Sequence, residues 1–137
     1  MTQGYLALVL HAHLPFVRHP EHENFLEEDW LFQAITETYI PLIQVFDGLE
    51  QDGVPFKITL SLTPTLLSML GDGLLQRRYV RFLDLSLELA EKEIKRTRNK
   101  PDVLPLARMY RDKLSEARDL FVHRYDHVTN ILLRGVD

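Results

Sequence analysis

Residues 5–16 read Tyr-Leu-Ala-Leu-Val-Leu-His-Ala-His-Leu-Pro-Phe, an apolar run that stops at two histidines and a proline. Such a run with a polar end is typical of a buried strand whose last side chains reach a site. Because side chains alternate along a strand, His11 and His13 lie on one face and the three leucines before them lie on the other. The stretch therefore predicts a strand, over residues 5–12, that is polar at its C-terminal end, where α/β folds bind ligands.

A second strand is predicted over residues 56–63, which read Phe-Lys-Ile-Thr-Leu-Ser-Leu-Thr and alternate strictly between apolar and polar. The strand–helix–strand order predicts that it runs parallel to the first. Its polar face then points toward the histidines, so we expect Ser61 and Thr63 to end beside His11. No base and no nucleophile elbow are evident around Ser61, so a serine nucleophile is not expected.

The segment 13–24, between the first strand and the next helix, is predicted to be a loop. Pro15 and Pro20 fix their own φ angles and push the preceding residues out of the helical region. Its position after a strand end makes it a possible wall of a cleft. His19 and His22 are interpreted as solvated loop residues, as loop histidines usually are.

A helix is predicted to begin near Asn24, with Glu27 completing a capping box. The acidic residues 27–29 are expected to complement the helix dipole and meet solvent, and Glu37 to meet solvent as well. The apolar residues of this helix recur with the spacing of one buried face: Leu31, Ile35, Tyr39, Leu42, Phe46 and Leu49.

Two residues predict breaks in that helical pattern. Pro41 lacks a backbone donor and crowds the carbonyl of Glu37, which predicts a kink or short break near Thr38. Gly53 predicts the helix end.

Long helices are predicted for the rest of the chain. Thr63 and Pro64 begin a short helix that Gly71 ends. A second long helix carries an apolar face of Val80, Leu83, Leu87, Ala90 and Ile94 and finishes in cationic residues 95–100. After Pro101, a third carries Ala107, Tyr110, Leu114, Ala117, Phe121, Val128 and Ile131.

The composition limits the class of protein. With 137 residues, 45% of them hydrophobic, the chain supports one core at most. A net charge of −4 gives no reason to expect nucleic acid or an anionic membrane as a partner. The absence of cysteine excludes disulfides, thiolate nucleophiles and cysteine zinc sites. The first four residues lack a basic stretch and the apolar run is too short to span a membrane, so we expect a cytoplasmic location.

His11 and His13 also form a candidate metal site. Two imidazoles at a strand end can bind one divalent ion, as in metal-dependent hydrolases of the amidohydrolase type. Such sites take further His and Asp ligands from later strands, but the next strand ends in Thr63, a poor ligand. His123 and His127, one helical turn apart, are explained by a partly solvated helix face. We therefore expect no metal ligands in this chain.

Four stretches together resemble glycoside hydrolase family 57, and within it the 1,4-α-glucan branching enzymes. They are residues 4–18 with their His-x-His-x-Pro segment, Trp30, residues 37–42 (Glu-Thr-Tyr-Ile-Pro-Leu) and residues 60–64 (Leu-Ser-Leu-Thr-Pro). The likeness runs along the whole chain in order, although the last helices carry little of it.

The resemblance implies an α/β fold, an incomplete β/α barrel of seven strands with a helical domain beyond it, no obligatory cofactor, and retaining chemistry on α-glucans. It assigns His11 to the sugar in the donor subsite, and His13 and Pro15 to shaping the strand end. Trp30 is either a helix anchor in the core or a ring that stacks on a sugar. The predicted substrate-binding residues are His11, His13 and Trp30.

The same resemblance implies that both catalytic carboxylates come after position 137, so no catalytic residue is expected in this chain. Residues 1–137 are then the N-terminal part of a catalytic barrel, not a complete domain, and the remainder of the barrel is its partner. Two alternatives stay open. One is a metal-dependent hydrolase or deacetylase with His11 and His13 as ligands; the other is a non-catalytic helical interaction module built on the helices after Asp72.

Overall fold

A computed structural model describes residues 4–124 of the chain. Two short strands and a series of helices follow one another in this order: β1 (Val9–Ala12), α1 (Glu28–Ala34), a π-helical segment (Ile35–Tyr39), α2 (Ile40–Gln51), β2 (Thr59–Leu62), α3 (Pro64–Leu70), α4 (Gly73–Thr97), α5 (Leu104–Asp119) and a second π-helical segment (Leu120–Arg124). The predicted α/β class, with two parallel strands followed by long helices, is confirmed.

The two strands form a parallel two-stranded sheet in which Val9 faces Thr59 and His11 faces Ser61. Both are shorter than the predicted 5–12 and 56–63, because ladder hydrogen bonds form only where the two strands oppose each other. The ladder begins where the backbone N–H of Thr59 donates to the carbonyl of Leu8, at 3.1 Å. Before that point the chain pairs with no strand among residues 4–124, and Tyr5 is 98% exposed.

The two faces of the sheet differ as the alternation predicts. On the apolar face Ala12 and Leu62 pack against the buried core, together with Leu14 just beyond β1. The opposite face carries His11 and Ser61, both exposed. The helices therefore cover one face only, and the polar face is open within the described part of the chain.

The first helix begins later than predicted. It starts at Glu28, with Glu27 at the cap position in helical conformation and without a side-chain capping bond, so the capping box of Asn24 and Glu27 is wrong. The preceding loop is held to α4 by Arg78, which binds the carbonyl oxygens of His19 and His22. These bonds hold the loop, which turns at residues 20–21, against α4 and postpone the first helical turn.

The break predicted by Pro41 is confirmed as the π-helical segment Ile35–Tyr39. Here the backbone N–H of Ile40 donates to the carbonyl of Ile35, five residues back instead of four. A wider turn inserts an extra residue and shifts the buried face. Beyond it the buried residues are Ile40 and Ile43, while the predicted Leu42, Phe46 and Leu49 are only half-buried.

Gly53 ends α2 as predicted. It adopts a left-handed φ of 65°, and its N–H donates to the carbonyl of Glu50 at 3.0 Å. The next N–H, from Val54, donates to Leu49 at 2.9 Å. This pair of bonds is the Schellman arrangement, which satisfies two helix carbonyls that would otherwise lack donors.

The core lies among α1, α3, α4, the end of α5 and the second π-helical segment, which follows α5. Its fully buried members are mostly apolar side chains from these helices: Leu31, Leu66, Met69, Leu75, Tyr79, Leu83 and Phe121. The hydroxyl of Tyr79 is hydrogen-bonded to Thr36 at 2.9 Å, and burial raises its pKa to about 12. Within residues 4–124, no helix is long and apolar enough to cross a membrane.

The long helices follow the predicted apolar faces with one exception. Leu83 and Ala90 of α4, and Ala107 and Ala117 of α5, are buried as predicted. Tyr110 is 52% exposed, so its assignment to the buried face of α5 is wrong. Small alanines let α5 approach α4 closely, and a large ring among them is displaced to the surface. Val128 and Ile131 lie outside the described residues.

Candidate functional site

His11 and His13 emerge side by side at the C-terminal end of β1. Their ring centroids are 6.1 Å apart and the ring planes differ by 12°, so the two imidazoles are nearly parallel. Both side chains are exposed. The predicted common face is confirmed, and it presents two imidazoles to whatever binds at this edge of the sheet.

Ser61 lies beside His11 as predicted. The two residues face each other in the strand ladder, and the hydroxyl oxygen of Ser61 is 3.1 Å from Nδ1 of His11. The imidazole is therefore the hydrogen-bonding partner that sequence reasoning did not find for this serine. The sequence predicted that the two residues are neighbours, and the strand register of the structure adds the hydrogen bond itself.

Thr63 lies at the same end of the sheet, where it stabilises local structure. Its backbone N–H donates to the carbonyl of Ala12 at 3.3 Å, which extends the ladder by one bond. Its hydroxyl oxygen accepts from the N–H of Leu66 at 3.3 Å and so caps α3. The hydroxyl of Thr63 is thus committed to the helix cap, and its predicted place beside His11 stays a prediction.

The loop after β1 is fastened to the helices at two points before residue 19. Val17 is buried, and its backbone N–H donates to the sulfur of Met69 at 3.3 Å. Arg18 pairs with Asp72 at 2.7 Å. Asp72 in turn accepts from the N–H groups of Leu74 and Leu75 and caps α4. The loop and the start of α4 are thus held together by one carboxylate.

A third attachment was missed by the sequence reasoning. Glu28, expected to meet solvent, is only 2% exposed and pairs with Arg78 of α4. The same guanidinium donates to the carbonyl of His19 at 3.1 Å and to that of His22. The partners are 50 residues apart, so no local pattern in the sequence could have joined them. Arg78 thereby sets the path of the loop that borders the histidines.

His19 and His22 flank the ring of Phe25. The centroid distances from Phe25 are 3.7 Å to His19 and 5.3 Å to His22. His22 is exposed, as predicted, whereas His19 is half-buried and its Nδ1 lies 3.0 Å from a carboxylate oxygen of Glu21. A backbone hydrogen bond and the contact with His19 lower the pKa of Glu21. The loop is therefore ordered by local ring and charge contacts.

Trp30 lies on α1 and is 52% exposed within the described chain, so it does not anchor the core that these residues form. Its neighbours Leu31 and Phe32 take the core side of the helix. Within residues 4–124, the indole of Trp30 packs against no other aromatic or histidine ring. The structure thus brings His11, His13 and Ser61 together and leaves Trp30 as a separate exposed ring. Its role in substrate binding stays a prediction.

Neither metal hypothesis gains a further ligand from the structure. Among residues 4–124, no three His, Cys, Asp or Glu side chains are grouped so that they could hold an ion. His11 and His13 remain a pair, and His123 is an exposed residue of the second π-helical segment. Its proposed companion His127 lies outside the described residues.

Comparison with known proteins gives one family. The sequence profile of glycosyl hydrolase family 57 matches residues 7–132. The 1,4-α-glucan branching enzyme TK1436 of Thermococcus kodakarensis is 40% identical over 93 residues, which are 68% of this chain and 14% of that protein. The chain therefore spans about a seventh of the length of this curated relative.

Solved structures show the same likeness in three dimensions. The α-amylase AmyC of Thermotoga maritima superposes with a TM-score of 0.84 and 44% identity, over 92% of this chain and 24% of that one. The branching enzyme of Pyrococcus horikoshii superposes with a TM-score of 0.78 and 30% identity, over 88% of this chain and 22% of that one. TK1436, crystallised with glucose and additives, superposes with a TM-score of 0.75 and 30% identity, over 88% of this chain and 21% of that one. These likenesses confirm the fold as the opening portion of a (β/α)7 barrel.

Proposed function

The chain belongs to glycosyl hydrolase family 57, and from that membership we propose that it is the N-terminal portion of an enzyme that transfers segments of α-1,4-glucan to form branches. The observation that carries the proposal is the family match over residues 7–132, which includes the polar strand end with His11. A curated branching enzyme matches 68% of the chain, and one neighbouring structure was crystallised with glucose.

The strand end supplies one wall of the proposed sugar site. Exposed imidazoles can donate to and accept from sugar hydroxyls, and His11 is proposed to contact the sugar in the donor subsite. His13, stacked 6.1 Å away, is proposed to shape the strand end and to add a second polar contact. The exposed ring of Trp30 is proposed to stack on a glucose unit, as aromatic side chains do with apolar sugar faces.

The chemistry itself is proposed to reside outside residues 1–137. A retaining enzyme needs two carboxyl groups roughly 5–5.5 Å apart, one as nucleophile and one as acid and base. The nucleophile bonds to the anomeric carbon while the acid protonates the departing sugar oxygen. In branching, a C6 hydroxyl of an acceptor chain then takes the glycosyl group and gives its proton to the base. Glu28 is unsuited to either role because it is buried in an ion pair with Arg78.

Residues 1–137 are proposed to be part of a catalytic domain that later chain completes. Support comes from apolar side chains on and around the two strands that are exposed within the described chain. Leu6 is 92%, Val9 62% and Phe56 42% exposed, although apolar residues of this kind are normally covered. The remainder of the barrel is proposed to cover them.

Hydrolysis of α-glucan is a second candidate, favoured by the likeness to the α-amylase AmyC at 44% identity. The two activities share the glycosyl-enzyme and differ in the acceptor, which is water in hydrolysis. We further propose a cytoplasmic location and a role in glycogen synthesis for the branching enzyme. Fractionation of cells and glycogen branching in a deletion strain test these two points.

The decisive experiment incubates a full-length protein carrying this chain with amylose. Branching is expected to create α-1,6 linkages, counted by proton NMR, without a matching rise in reducing ends. A rise in reducing ends without new α-1,6 linkages would establish hydrolysis in its place. No change in either quantity would show the proposal to be wrong.

The isolated 137-residue chain is the matched control. It is expected to be inactive on amylose and poorly stable, because it lacks the carboxylates and leaves strand edges unpaired. Branching of amylose by this chain alone would contradict the assignment of catalysis to later residues.

A further inference from the structure

His11 and Ser61 meet through strand register. They occupy facing positions of β1 and β2, and Nδ1 of His11 lies 3.1 Å from the hydroxyl oxygen of Ser61. Facing residues of neighbouring strands project from the same side of the sheet. This contact therefore depends on the backbone ladder and not on a flexible loop.

The contact restricts a side chain that is otherwise free to turn. An exposed imidazole has two rotatable bonds, and a hydrogen bond at one ring nitrogen restricts the orientation of the ring plane, while a hydroxyl partner, which both donates and accepts, suits either tautomer. The ring of His13, parallel to that of His11 within 12°, lies on the same face and further restricts the orientations open to the His11 ring. Within residues 4–124, Nε2 of His11 has no protein partner, so this nitrogen is left for a ligand.

The arrangement differs from that of a serine nucleophile and its base. In catalytic triads the serine bonds to Nε2 and an acidic group holds Nδ1, whereas here Ser61 occupies Nδ1. Ser61 also lies within a regular strand and not on a strained elbow. Its hydroxyl is therefore placed to orient the imidazole, not to attack a substrate.

We propose that Ser61 is a positioning residue that holds the imidazole of His11 with Nε2 directed at a hydroxyl of the bound glucan. The proposal rests on the proposed function, in which His11 contacts the sugar. Ser61 acts only through His11, so removing its hydroxyl should lower activity only while the imidazole of His11 is present.

The test uses a full-length enzyme carrying this chain, with amylose as substrate. Ser61→Ala is expected to lower kcat/KM by about three- to tenfold, the usual effect of one lost hydrogen bond. Ser61→Thr keeps a hydroxyl and is expected to restore near-normal activity. In a His11→Ala background, Ser61→Ala is expected to add no further loss. Ser68→Ala, at an exposed position of α3, is the matched control and should leave activity unchanged.

Two results would overturn the proposal: full activity of Ser61→Ala, or losses from Ser61→Ala and His11→Ala that multiply. A second readout is independent of catalysis. In protein labelled with ¹⁵N-histidine, Ser61→Ala is expected to shift the Nδ1 resonance of His11, which reports the hydrogen bond at that nitrogen, while Ser68→Ala does not. If the unmutated enzyme fails to act on amylose, the proposed function fails, and an unchanged Nδ1 resonance of His11 in Ser61→Ala then separately overturns the role of Ser61.

Discussion

Glu28 at the start of α1 and Arg78 in α4 form a buried ion pair that joins the loop after β1 to the longest helix of the described chain. The side chains are 2% and 13% exposed, and Arg78 also binds two loop carbonyls. A charge so deeply buried is tolerated only when it is paired and hydrogen-bonded. The pair therefore couples the loop beside the candidate site to the core.

Removing one partner of the Glu28–Arg78 pair should destabilise the folded protein. Glu28→Ala is expected to lower the free energy of unfolding by roughly 3 kcal/mol, because it leaves the Arg78 guanidinium buried and short of one acceptor. Thermal or urea unfolding of the full-length protein measures it. Glu23→Ala, which breaks the exposed pair with Arg81, is the control and should change stability little. Equal effects of the two substitutions would contradict the role given to burial.

Asp72 makes stability depend on pH. Burial acts to raise the pKa of Asp72, but hydrogen bonds from Leu75 and Arg18 outweigh it and the pKa lies below its usual value. A carboxylate with a lowered pKa stabilises the fold above its unfolded pKa of about 3.9, and that contribution is lost as the pH falls through the lower, folded value.

Asp72→Asn keeps a helix cap and removes the charge, whereas Asp72→Ala removes both. At pH 7 we expect Asp72→Ala to cost about 1 kcal/mol and Asp72→Asn to cost less. The deficit of Asp72→Asn should shrink as the pH falls below about 4, measured by thermal unfolding across pH. A deficit that stays constant down to pH 2 would show that the charge of Asp72 does not contribute.

His11→Ala should reduce turnover and leave the fold intact. The imidazole is exposed at the end of β1, so its loss removes the proposed polar contact with substrate and little buried surface. In the full-length enzyme we expect kcat to fall at least about tenfold, with an unchanged unfolding midpoint. His22→Ala, at another exposed histidine in the neighbouring loop, is the control. An unchanged rate would remove His11 from the site.

Trp30 can be tested by separating binding from stability. Aromatic pairs are worth about 0.5–1.5 kcal/mol beyond burial, and with a stack on a sugar of the same order, Trp30→Ala should raise KM for amylose by roughly three- to tenfold. Because the ring is 52% exposed, the melting temperature should change little. Trp30→Phe keeps a stacking face and should recover most of the affinity. A large loss of stability with unchanged KM would make Trp30 a structural residue.

Two glycines of the same helical region should respond in opposite directions to alanine. Gly53 has a φ of 65°, a conformation that strains other residues, so Gly53→Ala is expected to destabilise by about 1 kcal/mol. Gly48 lies within α2, where an added Cβ would meet nothing within 4 Å. Gly48→Ala is therefore expected to stabilise by about 0.5–1 kcal/mol. Unfolding midpoints of the two variants check both signs.

Short-range patterns in the sequence predicted much of this fold. Strict alternation placed Ser61 on the polar face of β2, and the missing donor of Pro41 predicted the break that appears as a π-helical segment. Gly53 ends its helix as its backbone freedom predicts. These features follow from forces between near neighbours, so one sequence was enough to infer them.

The errors have a common physical cause. The start of α1 and the environment of Glu28 depend on Arg78, and the buried face beyond Tyr39 depends on a wider turn that shifts the helical register. The exposure of Trp30, which the sequence left open, likewise follows from which side of α1 faces the core. Each depends on residues distant in sequence or on cumulative geometry.

The sequence by itself determined the central residues of the two strands, the polar strand end and the family resemblance. Alternating polarity, turn residues and motifs each involve only a few neighbouring positions, so they can be recognised without the fold. Only the tertiary structure decided that Ser61 meets Nδ1 of His11 and that Glu28 is buried against Arg78. Partners 50 residues apart meet through strand register and helix packing, which are properties of the folded chain as a whole.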